Sequence, residues 1–275
     1  MTVATSVSPP KAGLHYRVSS VMGAEWIKMR SVRSTIWTLT AMTVITLGIA
    51  IIAGAVIPAQ WHTFPASQRA TFDPTSISLR GLLFGQLVIG VLGVMVMSAE
   101  YGTGTIRATL AAIPNRPLIV AAKAAVFAMV AAVAGQVLSF GAFFIAQALL
   151  SSPARHASLG QPGVLRAVVG SGLIIPVLGL FALGLATIIR YTAGAITAYV
   201  GTLLVLPITL DALPSSFSHP ILNCLPLQIG DTMASVVSSP GSDWTLSPWA
   251  GFGVLCLYAL AALVIGAWLM VRRDA

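Results

Sequence analysis

Charged residues are scarce in this sequence. Only 8% of its 275 residues are Asp, Glu, Lys or Arg, whereas a soluble domain carries about 25%. Hydrophobic residues make up 57% of the chain. This composition excludes an ordinary soluble domain and indicates an integral membrane protein.

Cysteine is also rare, and the N-terminus lacks an apolar segment. The two cysteines, Cys224 and Cys256, show no paired spacing, so neither a disulfide framework nor a metal site is predicted. Residues 1–16 contain no apolar core of a cleavable signal peptide. We therefore expect these residues to form a flexible cytoplasmic tail.

The net charge of +8 does not come with a nucleic-acid-binding pattern. The basic residues lie at the ends of apolar runs and form no patch interleaved with aromatic residues. Such a distribution is typical of signals that orient a membrane protein, so we predict no nucleic-acid partner.

Six apolar runs approach or exceed the length of about 20 residues that a transmembrane helix needs. They predict an all-α protein with a six-helix transmembrane domain over residues 35–275. The third run is longer than one crossing, so we expect it to tilt or to extend into water. The predicted spans are residues 36–57, 82–98, 121–150, 167–189, 193–210 and 249–271.

The positions of Lys and Arg predict the orientation of these spans. With the N-terminus inside, 11 basic residues face the cytoplasm and 4 face the exterior. Residues 211–247 contain no Lys or Arg, which fits an exterior location. We therefore predict a multi-pass protein of the cell inner (plasma) membrane with both termini in the cytoplasm.

Residues 17–34 show the pattern of an amphipathic helix. Apolar residues recur at helical spacing, and charged residues occupy the rest of the helical wheel. We expect this segment to lie among lipid headgroups as an elbow helix; a plain extension of the first span is the alternative. The apolar positions are Val18, Met22, Trp26 and Met29, and the charged ones are Arg17, Glu25, Lys28 and Arg33.

The exterior segment 211–247 is too apolar for an ordinary loop. Its apolar pieces, residues 221–225 and 229–237, are too short to span a bilayer and are separated by Pro226. We predict two short re-entrant helices that dip into the outer leaflet, where protein covers their backbone.

Several kinds of chemistry are missing. We expect no ionisable residue within a span, with Lys123 at the membrane interface, which argues against an ion-coupled transporter with charged groups at mid-membrane. The four histidines lie in the tail or in exterior loops, so the Gly-Ser-Gly at 170–172 lacks a catalytic base. The glycine-containing stretch 102–107 lacks the lysine of a phosphate-binding loop. We therefore predict neither an enzyme nor an ATP site on this chain.

Small residues and prolines leave two alternatives open. A stripe of Gly81, Gly85, Gly90 and Gly93 permits close helix packing, either inside one chain or between subunits. Pro176 and Pro207 either kink their spans or are accommodated by ordinary packing.

The connection between the second and third spans, residues 99–123, gathers an unusual number of charges and turn residues. It predicts a short helix that Thr103 or Thr105 caps and Pro114 ends. A solvated charged loop is the alternative reading of the same residues.

This connection resembles the cytoplasmic loop of bacterial ABC exporter permeases of the type-2 class. The matching residues are Glu100, Gly102, Thr103, Leu110, Pro114, Arg116 and Lys123. The N-terminal segment is similar to the elbow helix of actinobacterial members of that class through Glu25, Trp26, Lys28, Arg30, Ser31, Arg33, Ser34 and Trp37. The re-entrant segment also resembles theirs, so the likeness covers nearly the whole chain.

The resemblance implies a permease subunit that exports a small amphiphilic or hydrophobic drug or natural product. Two cytoplasmic ATP-binding cassette subunits would bind the ATP and Mg²⁺, and a second permease copy or a paralogue would complete the assembly. A non-transporting membrane module of an immunity or sensor complex is the alternative, and a secondary transporter a third. The implied ATPase-coupling residues are Glu100, Tyr101, Gly102, Thr103, Arg107, Leu110, Pro114, Arg116 and Lys123, and the implied elbow residues are Glu25, Trp26, Lys28, Arg30 and Arg33.

Overall fold

The protein is predominantly helical in the part that the computed structural model describes, residues 18–112, 115–150, 154–237 and 246–273. The predicted tail 1–16 lies outside these ranges. No strand occurs within them. The helices, in chain order, are α1 (Val18–Ser31), α2 (Arg33–Ala59), α3 (Ala66–Ala70), α4 (Pro74–Leu79), α5 (Gly81–Gly102), α6 (Thr105–Ala112), α7 (Arg116–Leu149), α8 (Val164–Ile189), α9 (Thr192–Val200), α10 (Leu206–Asp211), α11 (Ser215–Leu222), α12 (Pro226–Ala234) and α13 (Pro248–Arg273).

Six helical segments of the described chain are long and apolar enough to cross a membrane, as the sequence predicts. Each contains most of one predicted span, but the predicted bounds are too narrow for most of them. The helices continue past the apolar runs because Arg, Gly and Pro residues at their ends are still helical. The six segments are Arg33–Ala59, Pro74–Gly102, Arg116–Leu149, Val164–Ile189, Thr192–Asp211 and Pro248–Arg273.

Helix α8 lies at the centre of the bundle. It packs against α5, α7 and α13, and 61% of its most apolar stretch is buried, against 17% for the fifth segment. Small residues let its neighbours approach: a Cβ on Gly179 would overlap the ring of Phe127, and a Cβ on Gly184 would overlap the backbone of Ala262. Close contact at small residues is the usual way in which helices pack in lipid.

The glycine stripe of α5 packs inside the same chain. Gly81 lies against the backbone of Thr46 in α2, Gly90 against the ring of Tyr199 in α9, and Gly93 against the backbone of Gly179 in α8. This arrangement supports internal packing over a subunit interface for these residues.

The fifth segment is not a regular α-helix. A π-helical turn, Gly201–Val205, separates α9 from α10, and Pro207 is the second residue of α10. Proline has no N–H to donate, and its ring clashes with the carbonyl four residues earlier, here that of Leu203 in the π turn. Pro176, by contrast, lies inside α8, which runs unbroken from Val164 to Ile189. Of the two prolines, therefore, only the one in the fifth segment lies beside an interruption of the regular α-helix.

Helix α1 differs from the predicted elbow in its bounds and in its packed face. It ends at Ser31, Val32 is extended, and Arg33 already belongs to α2. Val21, Glu25 and Met29 are buried, whereas Val18 and Trp26 are 54% and 42% exposed. The predicted apolar face was therefore wrong in part, because a carboxylate of this helix packs into the protein.

Two short helices do occur between the fifth and sixth segments, but with bounds other than those predicted. They are α11 and α12, and Pro226 begins α12 rather than merely separating two pieces. Proline is favourable there because the first helical N–H groups have no partner inside the helix.

The end of α12 is held by two charged side chains. Oδ2 of Asp73 accepts hydrogen bonds from the backbone N–H of Val236 at 2.6 Å and of Val237 at 3.0 Å. Arg166 donates to the carbonyl of Ser235 at 2.8 Å. Asp73 also caps α4 by accepting from Thr75 N at 2.9 Å. These bonds join α4, α8 and α12 at one end of the bundle.

We predict that Gly93→Ala destabilises the protein by about 3 kcal/mol, because the new Cβ meets backbone that cannot rotate away. The matched control is Gly48→Ala in α2, where no atom lies within 4 Å of the new Cβ and stability should be unchanged or slightly higher. Unfolding by SDS titration measures both. Equal stability of the two variants would contradict the packing described for α5 and α8.

Candidate functional site

A cluster of buried charges joins α1, α5 and α7. The ammonium of Lys123 lies 2.6 Å from Oε2 of Glu25 and 2.9 Å from Oε1 of Glu100. Only 2% of the Lys123 side chain is exposed. Because burying a charge without a partner costs free energy, these two contacts are needed to stabilise the ammonium at this buried position.

Lys28 completes this ion cluster, which we define as Glu25, Lys28, Glu100 and Lys123. Its Nζ lies 2.8 Å from Oε1 of Glu25 and 2.9 Å from Oε1 of Glu100, and its side chain is 45% exposed. Burial tends to lower the pKa of Lys28, but hydrogen bonds and the charges of the two glutamates outweigh it and raise the pKa. Lys28 therefore stays charged, and the cluster has two charges of each sign.

The ion cluster corrects one expectation and adds to another. Lys123, predicted at the membrane interface, is buried in the protein within α7, about 10 Å from its first residue. Glu25 was expected on the charged, lipid-facing side of its helix, yet it is only 6% exposed. Both residues turn inward because each provides the opposite charge that the other needs.

The predicted short helix is present as α6 and projects beside the ion cluster. Ile106 is buried and Leu110 is partly buried against the core, whereas Ala108 and Ala111 are exposed. Gly104 precedes the helix with a φ of 70°, a left-handed conformation that favours glycine. The two predicted coupling positions Pro114 and the side chain of Arg107 lie outside the described residues.

The connection is shorter than residues 99–123, because its ends are helical. Glu100, Tyr101 and Gly102 are the last residues of α5. The Thr103 hydroxyl donates to the carbonyl of Ala99 at 2.8 Å, so it closes the end of α5 rather than capping α6. Its oxygen is also 2.9 Å from the hydroxyl of Thr105.

The beginning of α7 is tied to the end of α13. Asn115 caps α7 by accepting a hydrogen bond from the N–H of Leu118 at 3.2 Å. Arg116 donates to the carbonyls of Met270 at 3.0 Å and Val271 at 3.2 Å. A cation at the C-terminus of a helix is favourable because the last carbonyls carry partial negative charge. These bonds connect the first residue of α7 to the last turn of α13.

Tyr101 makes a further contact across the bundle. The guanidinium of Arg190 lies 5.2 Å from the centre of the Tyr101 ring. Arg190 ends α8 in a left-handed conformation, with a φ of 63°. A non-glycine residue held in this region is strained, so the surrounding contacts must maintain it.

Helix α6 lies between two cavities. One, of about 420 Å³, extends over the ion cluster and includes Met29, Leu92 and Ala108 in its walls. The other, of about 880 Å³, lies between α6 and the side chains of Arg116 and Arg190. Helix α6 is therefore bordered by open space on both sides.

The structure brings together only part of the predicted set. Glu25, Lys28, Glu100 and Lys123 form one cluster, and Tyr101 and Arg116 contact neighbouring helices. Trp26, Arg30 and Arg33 are exposed and do not join the cluster. Arg190, which lies beside α6, was not predicted as a site residue. Its position directly after the fourth apolar run is the sequence feature that could have indicated it.

The described residues contain no group of three or more His, Cys, Asp or Glu side chains arranged to hold a metal ion. Comparison of the sequence with known protein families returned no match, and no curated protein is significantly similar to it. The interpretation of the site therefore depends on its geometry.

We predict that Lys123→Met destabilises the protein by about 3 kcal/mol, because it leaves two buried carboxylates with only the partly exposed Lys28. The matched control, Lys28→Met, should cost less than about 1 kcal/mol, since solvent screens its charge. SDS-titration unfolding at pH 7 compares the two. A larger loss for Lys28→Met would show that the buried ammonium is not the main contact.

Proposed function

We propose that the chain is the permease subunit of an ATP-driven ABC exporter of the type-2 class. The observation that carries this proposal is the ion cluster, which joins α1, the end of α5 and the start of α7 immediately beside the projecting α6. An ATP-driven permease needs a surface on which its ATPase can act, and in this proposal α6 is that surface.

Force applied to α6 would reach several helices at once. Helix α6 connects α5 to α7, and the buried pairs hold both of these to α1. Separating such pairs costs about 3–5 kcal/mol, so the three helix ends move together more readily than apart. Arg116 extends the connection to α13. Closure of a partner bound to α6 would thus be transmitted to three of the six spans.

The partner is proposed to be a cytoplasmic ATP-binding cassette subunit that carries ATP and Mg²⁺. Two such subunits would bind two permease chains, either identical or paralogous. The exposed Ala108 and Ala111 leave room for close approach of another protein along α6. A small amphiphilic or hydrophobic molecule is the proposed substrate, since the spans are predominantly apolar.

The same proposal gives the orientation and the lipid contacts. The ion cluster and both termini face the cytoplasm, and α11 and α12 dip into the outer leaflet of the plasma membrane. Helix α1 serves as the elbow helix, with the exposed Trp26 and Arg30 directed to lipid headgroups. The excess of basic residues predicted for the cytoplasmic side supports this orientation.

The variant Ala108→Arg tests the docking surface. The tagged chain, purified from its native membrane in mild detergent, is expected to bring an ATP-binding cassette subunit with it. We expect Ala108→Arg to reduce the co-purified ATPase activity about tenfold, because a long charged side chain then occupies the contact. Ser67→Arg on the exposed α3 is the control and should leave the activity unchanged. Absence of an ATPase from the wild-type preparation, or equal activity in both variants, would contradict the proposal.

A second test concerns orientation. In a chain with Cys224 and Cys256 replaced by serine, Ala111→Cys on α6 should react with a membrane-impermeant maleimide only in inverted vesicles. Ala66→Cys on α3 should react only in intact cells, because α3 and α6 lie in connections on opposite sides. Labelling of Ala111→Cys in intact cells would exclude docking of a cytoplasmic ATPase on α6.

A further inference from the structure

A separate cavity lies near the other end of α5, far from the ion cluster. Its volume is about 400 Å³, within the range of sites that bind small molecules. Helices α2, α4, α5, α8 and α12 contribute to its walls. Gln86, which lines it, is 14 residues before Glu100, a distance of about 21 Å along the helix.

Two buried polar side chains that line this cavity each have an oxygen without a hydrogen-bond partner. They are Gln86, 5% exposed, and Ser171, 4% exposed. Neither Oε1 of Gln86 nor Oγ of Ser171 is hydrogen-bonded within the protein. Buried polar groups are nearly always bonded, and leaving one without a partner is unfavourable. The two groups therefore call for a polar occupant.

Gln86 and Ser171 differ from two similar residues nearby, which are hydrogen-bonded within the protein. Gln136 donates from Nε2 to the carbonyl of Val169 at 3.0 Å, and Ser139 donates to the carbonyl of Val168 at 2.6 Å. Both belong to α7 and contact α8, as part of ordinary helix packing. Gln86 and Ser171, by contrast, line the cavity, and Oε1 of Gln86 and Oγ of Ser171 have no hydrogen-bond partner.

A second, outer cavity of about 610 Å³ adjoins the first. Ser76 and Arg80 line both, so the two cavities are adjacent. Ile57, Phe64 and Phe72 give the outer cavity an apolar wall. An occupant that reaches Gln86 can therefore keep an apolar portion against these side chains.

The charges at the inner cavity balance. Arg80 and Asp231 both line it and interact electrostatically with each other. With one charge of each sign at its wall, the cavity favours neither a cation nor an anion. The groups that lack partners, a carboxamide and a hydroxyl, are uncharged and match hydroxyl or amide groups on a ligand.

We propose that the two cavities together bind a nonionic amphiphile. Its hydroxyl or amide headgroup bonds to Gln86 and Ser171, and its apolar portion lies against Ile57, Phe64 and Phe72. This binding site does not depend on an ATPase or on export, so it stands apart from the function proposed above.

The probe for this site is an octyl glucoside that carries a diazirine on its alkyl chain, added to phosphatidylcholine vesicles containing the full chain. Irradiation should give saturable labelling of peptides from α4, α5 or α12, identified by mass spectrometry. We expect Gln86→Leu and Ser171→Ala each to raise the half-saturating concentration about tenfold, the usual effect of one lost hydrogen bond to a buried group.

Matched controls are Gln136→Leu and Ser139→Ala, which should leave the labelling unchanged and lower the thermal stability, because they remove bonds that the protein makes with itself. Gln86→Leu should preserve or raise the stability of the unliganded protein, since it removes an unbonded buried group. An unlabelled diacylglycerol that competes would identify a membrane lipid as the source of the headgroup, and competition by free octyl glucoside alone would identify a soluble amphiphile.

Labelling that does not saturate, or that falls equally in the controls and the cavity variants, would overturn the proposal and indicate that water alone fills the space. Labelling of the wild type that Gln86→Leu leaves unchanged would do the same, provided that the variant is folded by SDS titration.

Discussion

Burial of the Lys123 ammonium is the constraint on which the rest of this end of the bundle depends. A lone ammonium in an apolar interior would be far too costly to persist in its charged form. Two carboxylates from different helices contact it, Glu25 on α1 and Glu100 on α5. Helix α1 therefore folds back onto the bundle instead of extending from α2, and α5 stops where its last turn reaches Lys123.

The two ends of the bundle use different polar chemistry. At one end, full charges pair and hold three helices at short distance. At the other, Asp73 and Arg166 bond to backbone groups of the residues that follow or end α12, and the uncharged Gln86 and Ser171 line a cavity together with Arg80 and Asp231. Between them α5 and α8 approach closely at Gly93 and Gly179, where a Cβ would overlap the facing helix. Packing in the middle and polar bonds at the ends together specify one arrangement of the helices.

The sequence predicts the spans well because hydrophobic length is a local property. Each apolar run is visible within about 20 residues, whatever the rest of the chain does. The helical wheel of α1 was less informative, since it treats lipid and water as the only surroundings of a helix. Glu25 lies 98 residues from Lys123 along the chain, and nothing local indicates that the two meet. The glycine stripe of α5 was recognised, but its partners in α2, α8 and α9 depend on how all the helices are arranged.

The π turn in the fifth segment has a consequence for how the protein tolerates change. Ala195, Tyr199 and Leu203 are buried, but no residue of α10 is buried within the chain. Helix α10 thus contributes no buried side chain to the core. Its side chains are constrained to be apolar, but packing does not restrict their shape. Substitutions can accumulate there without repacking the interior.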